Sequence, residues 1–203
     1  MNKIATLSVL GALALGAGIA LMPSAPFADA AQPQVALGKT VAPFSLPAPG
    51  GKTVSVGDWN KSKASVIWFI STQCPVSNAY NERMETLAKT YTPRGVKFYG
   101  VNANNAEDLS AIAEHSREHG FTFPILKDQG NAIADRFNAR VTPEVYVVAP
   151  DGKLVYHGQI DNSQNEKKVV NHPLAVALNE VLAGQPVKAS ETTAFGCSIK
   201  REN

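Results

Sequence analysis

Two cysteines, Cys74 and Cys197, are the side chains of this sequence best suited to covalent chemistry. Two cysteines can form one disulfide, or supply one reactive thiol with a partner, but they are too few for a disulfide scaffold or a four-cysteine zinc site. Pro75 follows Cys74 directly, and proline is favoured at the first position of a helix. Cys74 is therefore predicted at a helix N-cap, where free backbone N–H groups favour the reactive thiolate. A buried structural cysteine is the alternative interpretation.

The second cysteine, Cys197, lies in a polar C-terminal tail and meets Cys74 only if the tail folds back. Phe195 and Ile199 flank Cys197, and burial of these apolar side chains would dock the tail on the domain. We predict that Cys197 and Cys74 form a reversible disulfide. The alternative is an unpaired tail thiol that is available to other proteins.

A second candidate segment, Thr142-Pro143-Glu144, directly precedes an apolar run over residues 145–148. A proline just before a strand is a candidate for a cis bond in a tight turn. A cis bond here would present the backbone of Thr142 toward the sulfur of Cys74. Two interpretations of Glu144 stay open: it borders the sulfur and tunes it, or it caps the strand.

An alternation of strand-like and helical segments must position these side chains. Residues 64–70 form a continuous apolar, β-rich run, which is typical of a central strand buried on both faces. Helices are predicted over 75–91, 106–118, 131–137 and 173–182, and further strands over 44–46, 53–56, 96–101, 122–126, 145–148 and 154–160. This order predicts an α/β fold with a central mixed β-sheet flanked by helices and an N-terminal β-hairpin extension.

The N-terminal segment has the pattern of an export signal. Lys3 precedes an uncharged run over residues 4–22, and Ala28-Asp29-Ala30 matches the small-x-small cleavage pattern. We predict a signal peptide over 1–30, one domain over 31–185, and a tail with Cys197 over 186–203. The expected location is the periplasm, where disulfides persist. The run is long enough to span a bilayer, so an uncleaved membrane anchor is the alternative.

The composition excludes several classes of protein. Of the 203 residues, 44% are hydrophobic and 18% are charged, and the formal net charge is +2. The near-neutral charge argues against a nucleic-acid partner, and the apolar content argues against a wholly disordered chain. His115 and His119 have the i, i+4 spacing of some metal sites, but Glu114 and Glu118 flank them as solvated charges would. We expect no metal and no cofactor.

The segments around Cys74 and Pro143 resemble those of the thioredoxin superfamily. Cys74-Pro75-Val76-Ser77 stands where thioredoxins have Cys-x-x-Cys, and Thr142-Pro143 resembles their cis-proline loop. The resemblance to the redoxin branch, the alkyl hydroperoxide reductase and thiol-specific antioxidant-like proteins, also involves Asp128, Phe137, Val141, residues 145–148, Asp151-Gly152 and Gly158. Residues 71–78 together with the tail over 194–201 resemble an exported peroxiredoxin-like group with one cysteine at the active-site position.

The resemblance covers roughly residues 41–182, and it implies a thioredoxin-like fold and a set of roles. Cys74 and Cys197 would be the catalytic residues, and Thr142 and Pro143 would orient the substrate. The neighbours of the active site would be Thr72, Ser77 and Glu144.

Two departures from the family patterns limit what the resemblance implies about the reaction. Ser77 replaces the second thioredoxin cysteine, and a hydroxyl cannot attack a mixed disulfide as a thiolate does. Thr72 lies two residues before Cys74, whereas peroxiredoxins have threonine three residues before their peroxidatic cysteine. That cysteine also aligns with Ser77, so the peroxide-activating arrangement is not reproduced.

The leading interpretation is an exported thiol–disulfide oxidoreductase with Cys74 as the attacking thiolate and Cys197 as its resolving or bridging partner. Its partners would be protein thiols and disulfides or a small thiol. One alternative is a thiol peroxidase, for which peroxide would be a substrate. Another is a non-catalytic binding protein with a structural disulfide or a Cu(I) site, since soft sulfur ligands suit Cu(I). A membrane is expected as a partner only through an uncleaved signal.

Overall fold

A five-stranded mixed β-sheet forms the centre of the fold in the computed structural model, which describes residues 34–201. The predicted signal peptide over residues 1–30 lies outside the described residues. Among the residues that are described, no helix has both the length and the apolar character needed to cross a membrane.

The elements follow one another in the alternating order that the sequence predicts. The strands are β1 (Phe44–Ala48), β2 (Lys52–Val56), β3 (Ala64–Phe69), β4 (Val96–Asn102), β5 (Ile125–Lys127), β6 (Val141–Thr142), β7 (Glu144–Val148), β8 (Leu154–Gly158) and β9 (Cys197–Ser198). The helices are α1 (Pro75–Asn78), α2 (Asn81–Tyr91), α3 (Leu109–Glu118), α4 (Ala132–Phe137) and α5 (Pro173–Leu182).

The central sheet has the strand order β5-β4-β3-β7-β8. β3 pairs in parallel with β4 and antiparallel with β7, so the sheet is mixed as predicted. β1 and β2 form the expected N-terminal hairpin, with Phe44 opposite Val56. The fold class predicted from the sequence is confirmed.

Strand β3 is the central strand of the sheet, and all of its residues are buried. Its side chains alternate between the two faces. Val66 and Trp68 enter a core formed with α2, α3 and α5, whereas Ile67 and Phe69 enter a core formed with the β1–β2 hairpin and α4. The carboxyl end of this buried strand therefore leads directly to Cys74 in a fixed position.

Two helix boundaries differ from the predictions. The single helix predicted over 75–91 is interrupted between α1 and α2, where the Arg83 guanidinium donates a hydrogen bond to the Ala79 carbonyl oxygen. α3 begins at Leu109 rather than at 106, because the Asp108 side chain accepts a hydrogen bond from Ala111 N–H and so caps the helix. Glu107 is thereby left in the preceding loop.

Candidate active site

Cys74 is the N-cap residue of α1, and Pro75 occupies the first turn of that helix. The Cys74 side chain is buried, with 4% of its surface exposed. The Ser77 backbone N–H donates a hydrogen bond to Cys74 Sγ at 3.3 Å. A hydrogen bond donated to the sulfur favours the thiolate over the thiol. The predicted placement of Cys74 at a helix start is confirmed.

Cys74 and Cys197 are joined by a disulfide in this structure. Their Cα atoms lie 5.9 Å apart, which is within the usual range for such a bond. The tail therefore folds back onto the domain, as the pairing of the two cysteines requires.

The Thr142–Pro143 peptide bond, which the sequence left open as a candidate for a cis bond, is cis. The Thr142 carbonyl oxygen lies 3.3 Å from Cys74 Sγ. Thr142 also belongs to β6, which pairs antiparallel with β9 of the tail, so that Thr142 lies opposite Cys197 and Val141 lies opposite Ser198. The structure thus places Thr142 beside both sulfur-bearing residues.

Backbone hydrogen bonds to two different segments hold the tail just after Cys197. Ile199 N–H donates to the Arg140 carbonyl oxygen at 2.9 Å, and Asn105 N–H donates to the Lys200 carbonyl oxygen at 2.9 Å. Ile199 is buried, and the ring of Phe195 contacts that of Tyr80 edge to face at 6.3 Å between centroids. The two apolar residues of the tail therefore dock it as predicted.

A buried carboxylate, Glu107, organises the loop that precedes Cys74. Glu107 is 2% exposed. Its two oxygens accept five hydrogen bonds, from Ser71 Oγ (2.6 Å), Thr72 N–H (2.6 Å), Thr72 Oγ1 (2.9 Å), Asn102 Nδ2 (2.6 Å) and Asn104 Nδ2 (2.9 Å). Burial alone would raise the pKa of Glu107, but the hydrogen bonds from Ser71, Asn102 and Thr72 outweigh it and hold that pKa below its usual value.

Ser71 connects Glu107 to Cys74. Its hydroxyl donates to Glu107 and accepts hydrogen bonds from Cys74 N–H at 3.0 Å and Gln73 N–H at 3.2 Å. Its own N–H donates to Ser77 Oγ at 3.2 Å. The Glu107 network, defined as Glu107 with Ser71, Thr72, Asn102 and Asn104, therefore fixes the backbone on both sides of the sulfur.

This network could not be predicted from the sequence. Residues 106 and 107 fall inside the predicted helix over 106–118, and Ser71 falls in a loop of ordinary polar composition. Thr72 and Ser77 were predicted as neighbours of the active site, and the structure places Thr72 against Glu107 and Ser77 against Cys74. The spacing of residues along the sequence does not show these contacts, because Ser71 and Thr72 lie on a different loop from Glu107.

Glu144 fixes the backbone that precedes Thr142. One of its oxygens accepts hydrogen bonds from Arg140 N–H and Val141 N–H, and the other accepts one from Tyr146 Oη and lies 2.6 Å from His157 Nε2. Burial alone would raise the pKa of Glu144, but these hydrogen bonds hold that pKa below its usual value. The hydrogen bond with His157 lowers it most. This geometry corresponds to the capping interpretation of Glu144.

The two histidines His157 and His115 have different surroundings. His157 lies on the edge strand β8 with 27% of its side chain exposed, and its ring stacks on that of Tyr146 at 4.4 Å between centroids. His115 is buried, and this burial lowers its pKa to about 4. Within residues 34–201, no three histidine, cysteine, aspartate or glutamate side chains are grouped as a metal site requires.

Reduction of the Cys74–Cys197 bond would take up two electrons and two protons and yield two thiols. The Ser77 N–H is already aimed at the sulfur of Cys74. Because a hydrogen bond donated to sulfur favours the thiolate, Cys74 is well suited to be the attacking thiolate once the bond is reduced.

Comparisons with known proteins agree with this fold. The curated protein named thiol-disulfide oxidoreductase ResA from Halalkalibacterium halodurans is 28% identical over 95 residues, which cover 47% of this chain and 53% of that protein. The chain thus spans about half of the length of this curated relative.

Solved structures give similar matches over more of the chain. A hypothetical protein from Sinorhizobium meliloti is 31% identical, with a TM-score of 0.77 over 83% of this chain and 96% of that one. A putative thioredoxin from Neisseria meningitidis is 20% identical, with a TM-score of 0.59 over 74% of this chain and 95% of that one. The second match shows that the fold is thioredoxin-like.

The sequence model of one family, described as the AhpC/TSA family, matches residues 37–157. The match includes β1 to β8, together with Cys74, Glu107 and the Thr142–Pro143 bond, and it extends over more than half of the chain. Together with the thioredoxin-like fold, it confirms the redoxin branch that the motifs indicated. The chain belongs to the AhpC/TSA family.

Proposed function

We propose that the protein is a thiol–disulfide oxidoreductase whose redox centre is the pair Cys74 and Cys197. The observation that carries the proposal is that Cys74, buried at the N-cap of α1 beside Thr142, is bonded to a cysteine of the tail. A curated relative named thiol-disulfide oxidoreductase supports it. The substrates are the thiols and disulfides of other proteins or a small thiol.

The proposed reaction is an exchange between the Cys74 and Cys197 thiols and a substrate disulfide. In the reducing direction, the Cys74 thiolate attacks one sulfur of a substrate disulfide, and the other substrate sulfur leaves as a thiolate that takes up a proton. Cys197, as a thiolate, then attacks Cys74 Sγ and releases the first substrate sulfur. The substrate gains two electrons, and the Cys74–Cys197 bond forms. The oxidising direction is the reverse of these steps.

The test is reduction of insulin disulfides in the presence of dithiothreitol. Cys74→Ser is expected to abolish the acceleration, because a serine hydroxyl is not ionised near neutral pH. Cys197→Ser is expected to form mixed disulfides at Cys74 that are resolved only by external thiol. Activity that survives in Cys74→Ser would exclude this function. Thermal unfolding of each variant serves as the control for folding.

We further propose that the mature protein begins after Ala30 and acts in the periplasm. The support is the Lys3 n-region, the uncharged run and the Ala28-Asp29-Ala30 cleavage pattern. Cell fractionation followed by N-terminal sequencing is expected to find a soluble protein that starts at Ala31. Recovery of the intact chain in the membrane fraction would instead support the uncleaved anchor.

A thiol peroxidase is the second candidate, and membership of the AhpC/TSA family is the observation that favours it. In that reaction, the Cys74 thiolate attacks one peroxide oxygen, the O–O bond breaks, the other oxygen leaves and takes up a proton to become water or an alcohol, and a sulfenic acid forms at Cys74. Cys197 then attacks this sulfur, water leaves, and the disulfide results. Peroxide consumption with a thiol donor, compared between the wild type and Cys74→Ser, tests this candidate.

A further inference from the structure

The tail of this protein lies at Cys74 as an extended peptide. β9 pairs antiparallel with β6, so that the backbone of Cys197 lies opposite that of Thr142. Ile199 N–H donates to the Arg140 carbonyl oxygen and continues this contact past the paired residues. Short strands paired through their backbones are a general mode of peptide recognition.

Gly196, the residue before Cys197, approaches Thr142 more closely than any other amino acid could. A Cβ atom at position 196 would lie 2.0 Å from the Thr142 carbonyl oxygen and 2.6 Å from its carbonyl carbon. The obstacle is backbone rather than a flexible side chain, and Thr142 is held in β6 beside Cys74 Sγ. Glycine is therefore required before a cysteine that docks in this register.

The docked tail also covers the sulfur of Cys74. Cys74 is 4% exposed. The neighbouring residues Val141 and Thr142 of β6 already pair with β9 through their backbones. A partner segment that pairs with Thr142 in the same way would occupy the space of β9. The tail and such a segment therefore cannot bind at the same time.

We propose that the β6 edge is a docking surface for an extended segment of a partner protein in which glycine directly precedes the reactive cysteine, and that the protein's own tail competes for this surface. The proposal rests on the proposed thiol–disulfide exchange and specifies its substrate class. In the mixed-disulfide intermediate, the partner segment replaces β9 beside Thr142.

Competition by the tail also provides the release step. When the Cys197 thiolate attacks Cys74 Sγ, the Cys74–Cys197 bond forms and the partner cysteine leaves as a thiolate. The returning β9 takes the place of the partner segment along β6. Because the tail belongs to the same chain, its effective concentration at the site favours this replacement over rebinding of the partner.

The experiment uses the full-length Cys197→Ser protein, in which a mixed disulfide at Cys74 is not resolved. Two peptides that copy residues 195–199, Phe-Gly-Cys-Ser-Ile and Phe-Ala-Cys-Ser-Ile, are each coupled through cysteine to nitrothiobenzoate. Attack by Cys74 releases the coloured nitrothiobenzoate thiolate, and its absorbance gives the rate. The symmetrical nitrothiobenzoate disulfide reports the reactivity of Cys74 toward a disulfide without a peptide.

We expect the glycine peptide to react about tenfold or more faster than the alanine peptide, since the added methyl group clashes with backbone. Adding Gly196→Ala to the Cys197→Ser protein removes the competing tail, so the glycine peptide is expected to react several-fold faster still. Thr193→Ala, in the same background, is the control, because Thr193 is an exposed tail residue outside β9. It is expected to leave all the rates unchanged.

Equal rates for the two peptides, or a faster alanine peptide, would overturn the glycine requirement. An unchanged rate on adding Gly196→Ala would overturn the competition by the tail. Both results leave the proposed function intact as long as Cys74 reacts with the symmetrical disulfide. Failure of Cys74 to react with any of the three disulfides would instead refute the proposed function itself.

Discussion

The variant Glu107→Gln tests whether the buried carboxylate stabilises the loop before Cys74. In the wild type, two carboxylate oxygens accept five hydrogen bonds. Glutamine has nearly the same shape, but it offers one acceptor oxygen and replaces the other with an NH2 donor. The substitution therefore changes the hydrogen bonding of the site while it leaves the packing volume almost unchanged.

The expected loss of stability follows from which donors each oxygen serves. Oε2 accepts three of the bonds, and Oε1 accepts those from Ser71 Oγ and Asn104 Nδ2. With the amide oxygen of glutamine at the Oε2 position, the Asn104 amide and the Ser71 hydroxyl face an NH2 group and lose their acceptor, which costs about 1–3 kcal/mol in all. The three bonds to the Oε2 position lose their ionic character at about 1 kcal/mol each.

A neutral amide is also less costly to bury than a carboxylate, which offsets part of this loss. We therefore expect the free energy of unfolding at neutral pH to fall by about 2–4 kcal/mol. Urea unfolding of the oxidised proteins measures this difference. The control is Glu114→Gln, because Glu114 lies on α3 with 64% of its side chain exposed and should change the stability by less than about 0.5 kcal/mol.

The pH dependence provides a second, independent readout. Burial would raise the pKa of Glu107, but its hydrogen bonds lower it below the usual 4.5. A carboxyl with a lowered folded-state pKa contributes stability above its unfolded pKa and loses that contribution as the pH falls through the folded value. The difference between wild type and Glu107→Gln should therefore shrink below about pH 4.5. A variant as stable as the wild type at neutral pH, or a difference that grows in acid, would refute the reasoning.

Two further predictions concern the disulfide and a buried ion pair. Reduction of the Cys74–Cys197 bond, which closes a loop with a sequence separation of 123, should lower the free energy of unfolding by about 4–5 kcal/mol in the chain-entropy model; equal urea midpoints with and without dithiothreitol would contradict this. Arg83→Ala should cost about 3–5 kcal/mol because it leaves the buried Asp161 carboxylate unpaired. Lys61→Ala, at an exposed ion pair, should leave the urea midpoint almost unchanged in the same assay.

Local sequence was sufficient for the features that depend on neighbouring residues. Pro75 presets the first turn of a helix, so the N-cap position of Cys74 could be predicted from two adjacent residues. The unbroken apolar run of β3 likewise predicted a strand buried on both faces. A proline that directly precedes a strand marked Thr142–Pro143 as a candidate for a cis bond, and the structure shows that the bond is cis.

Features that join distant residues required the tertiary structure. At the break between α1 and α2, the Arg83 guanidinium donates hydrogen bonds both to the Ala79 carbonyl oxygen and to the loop at Ser163 and Gln164. Glu107 lies in a segment with helical composition, but its hydrogen bonds to Ser71 and Thr72 keep it in the loop before α3. The spacing that predicts a helix does not show which donors from distant segments will bind its side chains.

The sequence by itself determined the fold class, the position of Cys74 at the end of the central strand, and the proline before β7. These follow from hydrophobic periodicity and from backbone restrictions that act over a few residues. Only the tertiary structure decided that Cys197 meets Cys74, that Gly196 lies against Thr142, and that Glu107 holds the loop. Contacts between residues so far apart in sequence depend on how the sheet, the loops and the tail pack together, which local preferences do not specify.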